Sequence, residues 1–137
     1  MTGTFAPGDR LTVASVLLTA IVPGDVVVYR RTGRGEGDEC LLVHRVVAVA
    51  ADGLVARGDN NPRPDADRVT ADNLVGRVTH AERGGRTRQV RGGRRGLLAG
   101  RLRHARLRAR TWAQTMGRRP YRWFRAMQSP YHIFDGP

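Results

Sequence analysis

Any acid–base chemistry in this chain has to be done without lysine, because all 24 of its basic residues are arginine. A titratable amine is therefore excluded as a base. Cys40 is the single cysteine, so it has no second thiol for a disulfide or a zinc site, and the four histidines lack ligand spacing. No metal or other cofactor is expected. The two serines, Ser15 in an apolar run and Ser129 near the C-terminus, read as ordinary hydroxyls. What remains is three phrases: Gly8-Asp9 with a second Gly24-Asp25 ahead of a β-branched run, then His44-Arg45-Val46, then Gly58-Asp59-Asn60-Asn61.

In this order and at these intervals the phrases resemble the type I signal peptidases, in the branch shared by archaea, the endoplasmic reticulum and some Gram-positive bacteria. The resemblance spans roughly residues 1–80. The first box of that family runs Ser-Met-x-Pro-Thr-Leu-x-x-Gly-Asp, with the serine as nucleophile. Laid on this chain, its Met falls on Met1, its Pro on Gly3, its Thr on Thr4, its Leu on Phe5 and its Gly-Asp on Gly8-Asp9. The nucleophile is then expected immediately upstream of Met1. A second register makes Thr4 itself the nucleophile but leaves no residues between the proline and Gly8-Asp9.

The family's second box carries the general base followed by Arg-Val, which the resemblance places on His44 and Arg45. A serine hydroxyl needs a neighbouring base, and an imidazole can both accept its proton and return it to the leaving amine. The third box falls on Arg57-Gly58-Asp59-Asn60-Asn61, where the resemblance implies a carboxylate that supports the base by fixing its tautomer. Asp59 is the first choice for that carboxylate, with Asp65 and then Asp67 next, because the Pro62-Arg63-Pro64 insert blurs the register. The alternative for these aspartates is ordinary turn capping.

The elements that must position these residues are short and mostly extended. Asp25 to Tyr29 is a β-branched run bounded by Pro23-Gly24, Cys40 to Val49 is a long apolar strand signal with His44 in its middle, and Leu54 to Arg57 returns from it across Ala51-Asp52-Gly53. Residues 58–65 are rich in turn formers, and Leu74 to His80 reads as a closing strand. The spacing predicts a mainly β fold, a small coiled, barrel-like antiparallel sheet over residues 1–83.

Charge divides the chain at the same place. Residues 1–83 hold 10 Arg against 11 Asp and Glu, a net charge of −1, whereas residues 84–137 hold 14 Arg against Asp135 alone, a net charge of +13. Residues 84–137 are expected to form an Arg-rich appendage: a linker or outer strand over residues 86–93, then a basic amphipathic helix over residues 94–116 with Leu98, Leu102, Ala105, Ala109, Trp112 and Met116 on one stripe. Gly117 and Pro120 end it, and Tyr121 to Arg125 adds aromatics between arginines. Such a tail suits an anionic membrane surface, contacted by residues 94–125, or, less well, nucleic acid; a merely solvated extension is the remaining reading.

The expectation is therefore a serine endopeptidase acting on a secretory or dedicated precursor protein, with protein or peptide as its partner. It would be membrane-associated, either peripherally or through an upstream anchor, and cytoplasmic if the chain truly starts at Met1. The alternative is a catalytically inactive β module that binds an anionic membrane or nucleic acid through its tail.

Overall fold

The computed structural model describes residues 4–32 and 39–116. It is mainly β. Seven antiparallel strands form one unclosed sheet: β1 (Arg10–Ala14), β2 (Val26–Thr32), β3 (Glu39–Ala50), β4 (Gly53–Arg57), β5 (Arg68–Val69), β6 (Leu74–Arg83) and β7 (Arg86–Gln89). A single α-helix, α1 (Gly93–Met116), follows. The strand order is β1-β6-β2-β3-β4-β5, with β7 paired to the far end of β6.

The centre of the sheet is β2, and its sequence says why. Val26, Val27, Val28 and Tyr29 are all buried, as a strand covered on both faces requires. Side chains alternate along a strand. Val27 and Tyr29 join Ile21, Val46, Leu54, Ala56 and Val69 in one core cluster, while Val26 and Val28 join Phe5, Val78, Ala81 and Val90 in another. Each face of β2 therefore has its own core.

Two turns of one design deliver the chain into this sheet. Ala6-Pro7-Gly8-Asp9 and Val22-Pro23-Gly24-Asp25 each close with the aspartate N–H donating to the first residue's carbonyl, at 3.1 and 3.0 Å. In each, the aspartate carboxylate accepts from the first residue's N–H, at 3.0 and 3.2 Å. Proline presets φ at the second position, and the third needs positive φ, which Gly8 (87°) and Gly24 (103°) supply. The repeated Gly-Asp is thus a turn-closing device.

The expected boundary at residue 83 falls inside a hairpin. Arg83 pairs with Arg86 across Gly84-Gly85, whose φ values of 55° and 76° give the two-residue turn that matches strand twist. β7 is the outer strand allowed for above, and the first of two compact units runs to Ala105, the second covering residues 106–137.

The first turns of the helix pack through small residues. Gly96 and Gly100, four residues apart, are the buried positions of its first turns, while Leu98 and Leu102 are 61% and 55% exposed. Small residues are needed on the packed face because a Cβ on Gly96 would lie 2.4 Å from the carbonyl oxygens of Gly24 and Arg91. Leu98 and Leu102 therefore face outward. Among the described residues no helix is long and apolar enough to cross a membrane. Gly117, Pro120 and the Tyr121 to Arg125 segment lie outside the described residues.

Candidate functional site

His44 and Arg45 are neighbours on β3, so they leave the strand on opposite faces and enter two different networks. His44 pairs across the sheet with Val27 and meets the Tyr29 ring edge-on, with centroids 6.4 Å apart. Its Nδ1 lies 2.5 Å from Oδ2 of Asp65. A carboxylate can only accept, so Nδ1 carries the hydrogen and Nε2 of the neutral ring is left as the basic nitrogen. Nε2 lies beside Gly58, where a Cβ would stand only 3.1 Å from it.

Asp65 reaches His44 because its loop folds back. The Asn61 N–H donates to the Gly58 carbonyl at 2.9 Å, turning the chain, and the Asp65 N–H donates to the Ala56 carbonyl of β4 at 2.9 Å. The Tyr29 hydroxyl donates to the same Oδ2 at 3.0 Å. Burial, together with the negative charge of Asp65 and the hydrogen bond to it, pushes the Tyr29 hydroxyl well above the usual phenol range. Tyr29 stays a neutral donor.

Asp59, the first choice for the carboxylate behind His44, is placed elsewhere. Its Oδ1 and Oδ2 accept from Nε and Nη2 of Arg45 at 2.9 and 3.0 Å, a two-point fork in which both side chains are buried. Thr4 Oγ1 donates to Oδ2 as well, and Arg103 Nη1 approaches it at 3.3 Å. Desolvation raises the Asp59 pKa, but hydrogen bonds from Arg45 and Thr4 and the charges of Arg45 and Arg103 outweigh it, holding the carboxyl below the ordinary range. Arg45 also donates through Nη1 to the carbonyls of Gly24 (2.7 Å) and Arg91 (3.1 Å). The pair ties β3, the residue-59 loop, the second turn and the start of α1 together.

The Thr4 hydroxyl, nucleophile of the second register, is spent on Asp59 and on Arg103. Asp67 is exposed and lines a separate depression with Arg30, Arg31 and Asp72. Asn60 is half-buried beside Asp59. Asp9 closes the first turn and is held by Arg83, whose Nε and Nη2 donate at 2.6 and 2.8 Å. The hydrogen bond from Arg83 is the main reason its carboxyl sits far below the usual range. Met1 lies outside the described residues.

Beside His44 opens a mostly apolar cleft of about 340 Å³, lined by Phe5, Ala6, Pro7, Asp9, Leu11 and Val43. Thus the segment entering β1 and His44 of β3 both line one concavity. The sequence reading did not single out Tyr29 or Arg103. A tyrosine in an otherwise apolar buried run was the available signal for the first, since a buried hydroxyl needs a partner; an arginine in an arginine-rich helix carried none. Among the described residues no buried side-chain polar atom lacks a hydrogen bond, and no group of acidic, histidine and cysteine side chains could hold a metal ion.

Comparison with family models, with curated proteins and with solved structures finds no match for this chain.

Proposed function

We propose that this β domain is the core of a serine endopeptidase of the type I signal peptidase kind. His44 is its general base and Asp65 the carboxylate that orients the base. The observation that carries this reading is the 2.5 Å contact between His44 Nδ1 and Asp65 Oδ2 at the edge of an apolar cleft. Carboxylate and imidazole in this relation leave Nε2 free to take a proton and stabilise the imidazolium that results.

In the proposed reaction the nucleophile is a serine encoded directly before Met1. Its Oγ attacks the substrate carbonyl carbon while its proton passes to His44 Nε2. The tetrahedral intermediate collapses with cleavage of the C–N bond, and the same proton goes from Nε2 to the leaving amine. A water then repeats the sequence on the acyl-enzyme, freeing the serine. The cleft of Phe5, Ala6, Pro7, Leu11 and Val43 receives small or apolar residues next to the scissile bond. Incubating the protein encoded by the complete reading frame with a peptide that has small residues after an apolar segment should yield two products by mass spectrometry, and the His44→Ala protein none. Equal cleavage by both, or by neither, would refute the reading.

A second reading concerns α1. The packed face of its first turns is Gly96 and Gly100, so Leu98 and Leu102 stand outward among exposed Arg94, Arg95 and Arg101. Exposed leucines do nothing for a phosphate backbone but favour insertion between anionic headgroups. A peripheral membrane contact suits a peptidase whose substrates emerge at a bilayer, and it would equally serve a catalytically inactive module.

A further inference from the structure

A second concavity, of about 360 Å³, is lined by Thr4, Arg45, Arg88, Arg91, Ala99 and Arg103 with Gln89 and Val90. Four arginines are an unusual lining, and the carboxylates near them neutralise only part of their charge. Arg45 is matched by Asp59. Arg103 has only the outer side of that same carboxylate, at 3.3 Å, and the Thr4 hydroxyl. Arg88 donates to the Thr4 carbonyl, stacks over the Phe5 ring at 5.6 Å, and is 3.6 Å from an Asp9 oxygen that Arg83 already holds at 2.8 Å. The Arg91 side chain makes no ion pair among the described residues. Beyond the paired Arg45, three arginines thus line a cleft near which the Asp59 and Asp9 carboxylates are already bound in forks to Arg45 and Arg83.

From this we infer that the arginine cleft binds a carboxylate carried by an acidic segment of the peptide substrate. Arginine is suited to this, since its planar fork matches a carboxylate at two points. The position suits it too: Thr4 lines the arginine cleft, its neighbour Phe5 lines the apolar one, and Arg88 of the former stacks over the Phe5 ring at 5.6 Å, so a chain with apolar residues in the apolar cleft has the arginines within reach of an acidic residue further along. The relation to a scissile bond rests on the peptidase reading above. Carboxylate binding does not, and it can be measured without turnover.

The test is calorimetric titration of the full chain at low salt with two peptides. Both carry the same apolar segment and small residues, followed in one by Asp-Glu-Asp and in the other by Asn-Gln-Asn. The acidic peptide should bind at least tenfold more tightly. Arg91→Gln, at an exposed residue whose side chain makes no ion pair among the described residues, should reduce that preference several-fold, and Arg103→Gln should do so independently. Arg106→Gln/Arg110→Gln, outside the cleft, should keep it. Equal affinity for the two peptides, a preference that survives both cleft variants, a preference lost in the Arg106/Arg110 variant, or displacement by millimolar inorganic phosphate as readily as by acidic peptide would each overturn the inference. If the preference stands while the complete reading frame cleaves nothing, the cleft is a binding site and the peptidase reading alone has failed.

Discussion

Asp65 lies 2.5 Å from His44 and accepts the Tyr29 hydroxyl on the same oxygen, whereas Asp59, six residues earlier in the same loop, gives both of its oxygens to Arg45. Two aspartates that read alike in sequence therefore have separate tasks. One orients an imidazole and the other neutralises a buried cation.

This division predicts different stability losses. Asp59→Asn leaves the buried Arg45 guanidinium without its counter-charge, a change that costs about 3–5 kcal/mol when one partner of a buried pair is removed. Asp65→Asn keeps an oxygen that can accept from Tyr29 or His44 and should cost about 1 kcal/mol, the worth of an ordinary hydrogen bond. Urea unfolding followed by circular dichroism separates the two. Equal losses would mean that Arg45 and Asp59 are not the buried fork described.

The charge network also sets the acid limit of stability. The Asp9 carboxyl is depressed, chiefly by the Arg83 hydrogen bond, so the bond stabilises the fold above the unfolded aspartate pKa of about 3.9 and is lost as pH falls towards the depressed folded value. Arg83→Gln should lower the urea midpoint at pH 7. The gap from the unaltered protein should shrink below about pH 4. A gap that is constant from pH 7 to pH 2 would show that Asp9 is not held by Arg83 in solution.

At Gly96 the usual helix rule should invert. Gly→Ala inside a helix ordinarily stabilises by about 0.5–1 kcal/mol. Here the added methyl would stand 2.4 Å from two backbone carbonyl oxygens and 2.9 Å from Arg45 Nη1. Gly96→Ala should lower the melting temperature by several degrees, while Leu98→Ala, on the exposed face, should leave it almost unchanged. Stabilisation by Gly96→Ala would contradict the packing of the first turns of α1.

The exposed leucines make the membrane reading measurable by vesicle flotation. Binding should require anionic lipid, weaken with salt, and fall about tenfold in Leu98→Ser/Leu102→Ser, since the loss of part of two leucine insertions is worth about 1.4 kcal/mol or more. Binding that is unchanged by the double substitution, or equal on neutral vesicles, would remove the leucines from any membrane contact.

How much of this was legible beforehand follows from what each signal depends on. The strands around His44 could be read because alternation, the Ala51-Asp52-Gly53 turn and the unbroken Val26 to Tyr29 run are local properties. The choice between Asp59 and Asp65 could not, because it depends on a hydrogen bond from Asp65 to Ala56 that folds a proline-rich loop back on itself. The charge balance changes after residue 83, yet Gly84-Gly85 is also a hairpin signal, and Arg83 pairs with Arg86 across it. Helical periodicity found the stripe of Leu98 and Leu102, but periodicity reports which residues are apolar and not which are small enough to approach Gly24 and Arg45.

The central claim is that His44 and Asp65 work together as the base of a peptidase. The most direct test is the rate of peptide cleavage by the protein of the complete reading frame, beside its His44→Ala and Asp65→Asn forms, with folding of each checked by circular dichroism. The account predicts cleavage by the unaltered protein and a loss of about 10³- to 10⁴-fold in each folded variant, the scale on which removing a triad member acts. An unaltered protein that cleaves nothing, or a folded Asp65→Asn form that cleaves at the full rate, would contradict it.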